Sequence, residues 1–298
     1  MNIWTQWSDL TLPAGMTHLA TDGFVPAESQ YDEIEFYVPS YMGGLKTIEI
    51  IPRMKNLKVV HYNQAGYEDI LPHIPQVVIL CNGTGVHDVS TSELAVGLTI
   101  ASRRGFAEFM DNQKKGIWQR RTKPALADSH VGIVGYGHIG KRIASLLEMF
   151  ETKVTAFTRS GSDGSIKIAE FDDYLPKLDV IILILPLTAE SKNFMNADRI
   201  KKMKDGATLV NVARGAIIDT DALVAELNTG RITAGLDVTD PEPLPAGHPL
   251  WSAPNVIISP HVGGDSGAFQ PRARELVQEQ LARMAKNEPL VNQITGAN

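Results

Sequence analysis

The sequence predicts an α/β fold built on a doubly wound parallel sheet, and three features carry that prediction. Short apolar, β-branched runs recur at 57–62, 77–80, 131–134, 154–157, 180–185, 207–212, 232–236 and 256–259. Helical patterns separate most of them, at 139–150, 197–203 and 219–227, and another, 272–286, follows the last strand. A glycine-rich turn joins a strand to a helix at 135–140. Strands alternating with helices pair in parallel through right-handed crossovers, with helices covering both faces of the sheet.

Composition removes whole classes of function. A chain of 298 residues has room for two domains on the prior of about 150 residues each. Its 28 basic and 34 acidic residues leave a net charge of −6, whereas a nucleic-acid or anionic-membrane surface needs a basic stripe. The one cysteine, Cys81, has no intramolecular partner for a disulfide, which points to a reducing compartment. The first ten residues lack the basic and apolar regions of a leader, and the run at 180–187 is short and broken by Pro186. The expectation is a cytoplasmic protein without membrane or nucleic-acid partners.

Taken in chain order, the runs at 57–62 and 77–80 form a first set of βα units. The stretch 91–104 then reads as a long helix whose Ala95, Leu98, Thr99 and Ala101 permit close packing. The polar, basic segment 112–128, with Trp118 embedded, reads as a solvated connection or a subunit contact.

Next comes the glycine turn, Gly135-Tyr-Gly137-His-Ile-Gly140. Gly135 permits the tight turn, Gly137 lets the backbone approach a pyrophosphate, and Gly140 lets the helix pack on the strand. The helix N-terminus presents unpaired N–H groups and partial positive charge to phosphates. Residues 135–141 also fit most of a P-loop, but Arg142 stands where Ser or Thr would hold magnesium, which argues against nucleotide hydrolysis.

The following strand ends in Thr158-Arg159-Ser160. A carboxylate at this place, about 20 residues on, accepts the ribose 2′-hydroxyl of NAD. Hydroxyls and a guanidinium suit a 2′-phosphate instead, so NADP(H) is predicted over NAD(H). Three later strands lead into Arg214, Glu242 and His261, at the edge where open α/β sheets bind ligands. Reduction of a 2-oxo acid needs a hydride source, a cation for the carboxylate and a proton donor for the developing alkoxide; Arg214 can be the cation and His261 the donor, with Glu242 keeping the imidazole protonated. The eight histidines are scattered, and none has zinc-site spacing, so no metal is expected.

Together, the glycine turn, Asn211-Val-Ala-Arg214-Gly215, the segment 237–243 and Pro260-His261-Val-Gly263-Gly264 resemble the D-isomer-specific 2-hydroxyacid dehydrogenases. The similarity runs from about residue 57 onward and is greatest to the glyoxylate/hydroxypyruvate reductase branch. It implies a Rossmann-type cofactor domain, 91–267, inserted into a smaller flavodoxin-like substrate domain formed by 1–90 and 268–298. It further implies Arg214, Glu242 and His261 as catalytic residues. The backbone amides of Ala65 and Gly66, with Arg214 and His261, would bind substrate. On the cofactor side it implies His138 and Ile139 under the pyrophosphate and Pro186 and Thr188 near adenine and ribose. Val212 and Asp237 would lie near nicotinamide, with Thr91 and Gly263 as further contacts. A homodimer through the cofactor domain follows from the same resemblance.

The segments 38–44 and 62–66 carry no basic side chain to meet a substrate phosphate, which disfavours phosphoglycerate. Tyr41 and Met42 are candidates to line an apolar pocket. Glyoxylate, hydroxypyruvate and larger 2-oxo acids fit equally well. The rival reading is a dinucleotide-sensing, corepressor-like binding protein on the same fold.

Overall fold

The computed structural model describes residues 1–21 and 23–295, so the last three residues of the predicted 268–298 segment lie outside the described residues. By its internal contacts the chain divides into two compact units, Met1–His87 with the residues from Gly267 on, and Asp88–Ser266.

The first unit contains β1 (Asn2–Trp4), β2 (Thr17–His18), β3 (Phe36–Tyr37), β4 (Val59–Tyr62) and β5 (Ile79–Asn82). They form an all-parallel sheet in the order β2-β1-β3-β4-β5, the flavodoxin-like arrangement. Sequence periodicity identifies only β4 and β5, because the other three strands are two or three residues long. Their crossovers are largely 3-10 turns, at Ile51–Arg53 and Leu71–His73, where Pro52 and Pro72 disfavour longer α-helix. One face of this sheet buries Trp4, Tyr37, Val60 and Leu80. The other buries Ile3, Phe36 and Val59 against the C-terminal helix through Phe269, Ala273, Val277 and Leu281.

The second unit begins with α1 (Asp88–Arg104) and α2 (Phe106–Lys114) and continues through β6 (His130–Val134), α3 (His138–Glu148), β7 (Lys153–Thr158), β8 (Ile166–Lys167) and β9 (Val180–Leu183). Then follow α4 (Ala197–Lys202), β10 (Thr208–Asn211), α5 (Thr220–Asn228), β11 (Thr233–Leu236) and β12 (Val256–Ile258); α6 (Phe269–Ala285) returns to the first unit. The seven strands are parallel in the order β12-β11-β10-β9-β6-β7-β8. This is the Rossmann arrangement, and the strand order reverses between β6 and β9. Helix α1 packs within its own unit. Adding a Cβ at Gly235 of β11 would bring it to 3.0 Å from Leu98 Cβ and 3.1 Å from Ser102 Oγ, so glycine lets the helix lie close to the sheet. Ser102 Oγ donates to Ala234 O at 3.1 Å, and Arg103, buried, donates to Ala125 O, Asp179 O and Ser129 Oγ.

Among the described residues no helix is long and apolar enough to cross a membrane, and no group of three or more metal-ligating side chains is found.

Candidate functional site

All the site residues predicted on the second unit except Thr91 lie at the C-terminal ends of its parallel strands or in the turns that follow them. Read across the sheet, His261 follows β12, Asp237 and Glu242 follow β11, and Val212 and Arg214 follow β10. The row continues with Pro186 and Thr188 after β9 and, beyond the switch point, with Gly135–Gly140 after β6 and Thr158–Ser160 at the end of β7.

The glycine turn has the shape a dinucleotide requires. Gly135 has φ +103°, and a Cβ there would lie 2.7 Å from the carbonyl carbon of Ile184. A Cβ on Gly140 would press on the Gly135 peptide, so α3 is held close against the turn. At Gly137 the direction a Cβ would take is open, with no atom within 4 Å. Gly137 caps α3 without a side-chain hydrogen bond, leaving first-turn amides around His138 and Ile139 without intrahelical acceptors. Two crowded glycines and one facing open space fit a pyrophosphate approached by backbone. His138 Nδ1 lies 3.6 Å from an Asp88 carboxylate oxygen in the same unit.

The β7 end divides the three residues predicted to meet a 2′-phosphate. Thr158 Oγ1 accepts from Gly161 N at 2.9 Å and shares a 2.7 Å bond with Ser165 Oγ, so it closes the local turn. Ser160 Oγ shares a 2.9 Å bond with Ser162 Oγ. Arg159 is exposed. The Glu190 carboxyl, held low chiefly by a hydrogen bond from Thr188, also feels the Arg159 charge.

The other half of the row brings Arg214, Glu242 and His261 together. Asn211, the last residue of β10, accepts from Ala213 N at 3.1 Å and donates to Arg214 O at 2.9 Å, fixing the turn that carries the arginine. Gly215 follows, and its α-carbon lies directly on the backbone after β11: a Cβ would overlap Thr239 O and stand 2.6 Å from Asp240 N. This close approach places the Arg214 turn beside the segment bearing Glu242. Arg214 Nη1 also donates to Ala213 O at 2.9 Å.

His261 adopts φ +54°, the left-handed region a side chain seldom occupies. Asp237 explains how that turn is held. Buried to 2% exposure, its carboxylate accepts from Ser259 Oγ (2.6 Å), Val262 N (2.9 Å) and Gly263 N (2.8 Å), while its carbonyl accepts from His261 N (2.7 Å). The Thr91 side chain borders the same turn, with its hydroxyl 3.6 Å from where a Gly263 Cβ would lie. The resemblance assigned Asp237 to the cofactor; its extensive bonding to the 259–263 loop is a feature that motif reading alone does not reveal.

His261 Nδ1–H donates to Glu242 Oε1 at 2.5 Å, with both side chains about two-fifths exposed. That hydrogen bond, opposed by burial and by Arg214 and aided by the Glu242 charge, holds the imidazole pKa above its ordinary 6.5. Burial tends to raise the Glu242 carboxyl, but the bond and charge from His261, with Arg214 contributing, bring it below the usual carboxylate value. Both groups feel the Arg214 charge, so the three form one electrostatic cluster. With Nδ1 turned to glutamate, Nε2 is the ring edge available to a reacting group, and a guanidinium stands nearby for an anion.

On the first unit, Ala65 is exposed and Gly66 half-buried in the loop after β4. The Ala65 carbonyl accepts from Asn82 Nδ2 at 2.7 Å.

Residues 96–263 match the family described as D-isomer specific 2-hydroxyacid dehydrogenase, NAD binding domain. The chain is 33% identical over 257 residues to a glyoxylate reductase of Thermofilum pendens, covering 80% of this chain and 75% of that protein. It is 32% identical over 244 residues to a hydroxypyruvate reductase of Thermotoga maritima, with 78% and 79% covered. The D-isomer specific 2-hydroxyacid dehydrogenase of Xanthobacter autotrophicus Py2, solved with NADPH and MES, superposes with a TM-score of 0.77 at 25% identity, covering 98% of this chain and 97% of that one. A domain match over more than half of the chain, together with these relatives, identifies the protein: it belongs to the D-isomer specific 2-hydroxyacid dehydrogenase family, whose members use a nicotinamide cofactor.

Proposed function

We propose that the protein reduces 2-oxo acids to D-2-hydroxy acids with NADPH, using Arg214, Glu242 and His261 as its catalytic residues. The observation that carries this reading is the His261–Glu242 hydrogen bond beside Arg214, on adjacent strand ends of a dinucleotide-type sheet. Relatives named glyoxylate reductase and hydroxypyruvate reductase support small 2-oxo acids as the substrate class.

When bound, the nicotinamide cofactor supplies the hydride that reaches C2 of the substrate. The residues that would hold it are Gly135, Gly137, His138, Ile139 and Gly140 at the pyrophosphate. Arg159 with Ser160 would meet the 2′-phosphate, with Thr158 shaping their turn, and Pro186 and Thr188 would border adenine and ribose. Val212, Thr91 and Gly263 would border nicotinamide, with Asp237 holding the turn beneath.

Arg214 pairs with the substrate carboxylate and polarises the C2 carbonyl. His261, held as imidazolium by Glu242, donates its Nε2 proton to the C2 oxygen as negative charge develops there. Protonation of the carbonyl oxygen and hydride addition at carbon together give the 2-hydroxy acid, and the half-exposed imidazole recovers its proton from solvent. In oxidation the same nitrogen accepts the hydroxyl proton. On the first unit, the amides of Ala65 and Gly66 are assigned to the carboxylate.

The preference for NADP(H) rests on Arg159 and on the absence of a carboxylate at the end of β7. The NADPH bound to the Xanthobacter relative accords with it. We also assign α2 and the following segment to a homodimer contact. Phe106, Phe109, Met110, Ile117 and Trp118 are exposed there, Trp118 to 95%, and such a concentration of apolar surface is uncommon on a monomer.

The test is NADPH oxidation across a panel of 2-oxo acids, with Michaelis constants for both cofactors. Turnover of glyoxylate or hydroxypyruvate with tighter NADPH than NADH is expected. Tight cofactor binding without turnover on any acid would favour a dinucleotide sensor instead.

A further inference from the structure

The loop after β4 carries a second layer of organisation that nothing in its own sequence announces. Three consecutive carbonyls, those of Asn63, Gln64 and Ala65, all point toward the segment 82–87, and each has a separate donor there. His87 Nε2 lies 2.8 Å from Asn63 O, and since a carbonyl only accepts, that nitrogen carries the proton. Gly83 N donates to Gln64 O at 2.8 Å, and Asn82 Nδ2 donates to Ala65 O at 2.7 Å. Close packing reinforces this register: a Cβ at Gly83 would lie 2.6 Å from the Asn63 carbonyl carbon.

In a planar trans peptide the N–H points opposite to the C=O of the same unit. Fixing these three carbonyls therefore turns the N–H groups of Gln64, Ala65 and Gly66 away from the 82–87 segment. None of the three has an acceptor among the described residues. Successive N–H groups turned to one side make an anion-binding concavity.

The donors are themselves secured. Asn82 Oδ1 accepts from Thr84 N and Thr84 Oγ1, orienting the amide so that its NH2 faces Ala65. Asn82 N donates to Asn292 O, and Asn292 Nδ2 donates to Thr84 O, tying the segment to the C-terminal tail. The His87 ring stacks parallel to Phe269, with an interplanar angle of 2°.

We propose that Asn82 and His87 are positioning residues for substrate recognition: they hold the 63–65 carbonyls inward so that the 64–66 amides stand ready for the carboxylate of a 2-oxo acid. This rests on the assignment of the carboxylate to Ala65 and Gly66. Neither side chain touches substrate; both act through the backbone they orient. A contact made equally in ground and transition states affects KM and leaves kcat alone.

The test uses His87→Phe, which keeps the stacked ring but loses the donor, and Asn82→Asp, which keeps the acceptor for Thr84 but turns a second oxygen on Ala65 O. Each should raise KM for glyoxylate or hydroxypyruvate about 10–100-fold, with kcat within about threefold and NADPH affinity unchanged. His87→Gln, which restores an N–H donor, should recover most of the loss. Hydrogen exchange of the 62–67 segment in the full chain provides a readout apart from activity. Oxamate, an unreactive 2-oxo acid analogue, should slow exchange there in the wild type with NADPH bound, and fail to do so at equal concentration in His87→Phe. Wild-type KM and wild-type protection in both variants would overturn the positioning role while leaving the carboxylate assignment intact. No protection of 62–67 in the wild type would overturn the carboxylate assignment itself, and the positioning role with it.

Discussion

Gly215→Ala adds one methyl group where the Arg214 turn crosses the backbone after β11. An ordinary carbon–oxygen or carbon–nitrogen contact is about 3.3 Å. The new Cβ would stand 2.6 Å from Asp240 N and overlap Thr239 O outright. The two backbone segments must therefore separate by at least about 0.7 Å, and by more at Thr239 O. Neither neighbour is a flexible side chain that can swing aside. Overpacking of this kind costs about 1–3 kcal/mol, and 2 kcal/mol corresponds to about 4–8 °C in the melting temperature of a unit this size. The catalytic effect should exceed the structural one. The displaced segments carry Arg214 on one side and Glu242 on the other, and a misplacement near 1 Å costs on the order of 10²-fold in rate. Steady-state kinetics should show kcat/KM reduced by about that factor, while NADPH binding, followed by fluorescence titration, stays near the wild-type value because the glycine turn lies beyond the switch point. A Gly215→Ala protein with kcat/KM within threefold of wild type would refute the claim that this glycine sets the spacing of the triad.

Other consequences are equally direct. Reduction should be fully supported below the His261 pKa, which lies above the ordinary 6.5, and lost as pH rises through it. In Glu242→Gln the fall should move to lower pH, and an unmoved profile would dissociate the two residues. Arg214→Lys keeps the charge but loses the forked geometry, so KM should rise and kcat fall together; an effect on neither would remove Arg214 from the site. Arg159→Ala should weaken NADPH binding roughly 10–100-fold, the worth of a charge-assisted bond, and leave NADH unaffected; equal losses for both cofactors would contradict a 2′-phosphate contact. Trp118→Glu should shift the protein from dimer to monomer in light scattering, whereas a wild-type monomer would remove the dimer assignment.

Legibility in the sequence followed burial. Strands β6, β9, β10 and β11 are buried on both faces, so they read as continuous apolar runs and their approximate bounds and parallel order follow. Strands β1, β2 and β3 are too short to show a period, and β8 is the two residues Ile166–Lys167. Helix α2 starts ahead of the polar segment 112–128 and has no buried residue, with Phe106, Phe109 and Met110 exposed, so no core-facing stripe marks it in the sequence. For the site, chemistry was readable and support was not. Arg214, Glu242 and His261 stand out by type and by place after a strand. The bonding of Asp237 to the 259–263 loop, the close approach at Gly215 and the orientation of the 63–65 carbonyls depend on contacts between residues distant in sequence. Thr158 illustrates the converse: its hydroxyl suits a phosphate on paper, yet Gly161 and Ser165 engage it.

The central claim is that His261 donates the proton to a 2-oxo acid reduced at this site. Single-turnover oxidation of bound NADPH by glyoxylate and hydroxypyruvate, compared in wild type and His261→Asn, tests it most directly. The wild type should consume one NADPH per 2-hydroxy acid formed, and His261→Asn should bind NADPH normally but react about 10²–10⁴-fold more slowly. Oxidation by His261→Asn at the wild-type rate would contradict the account.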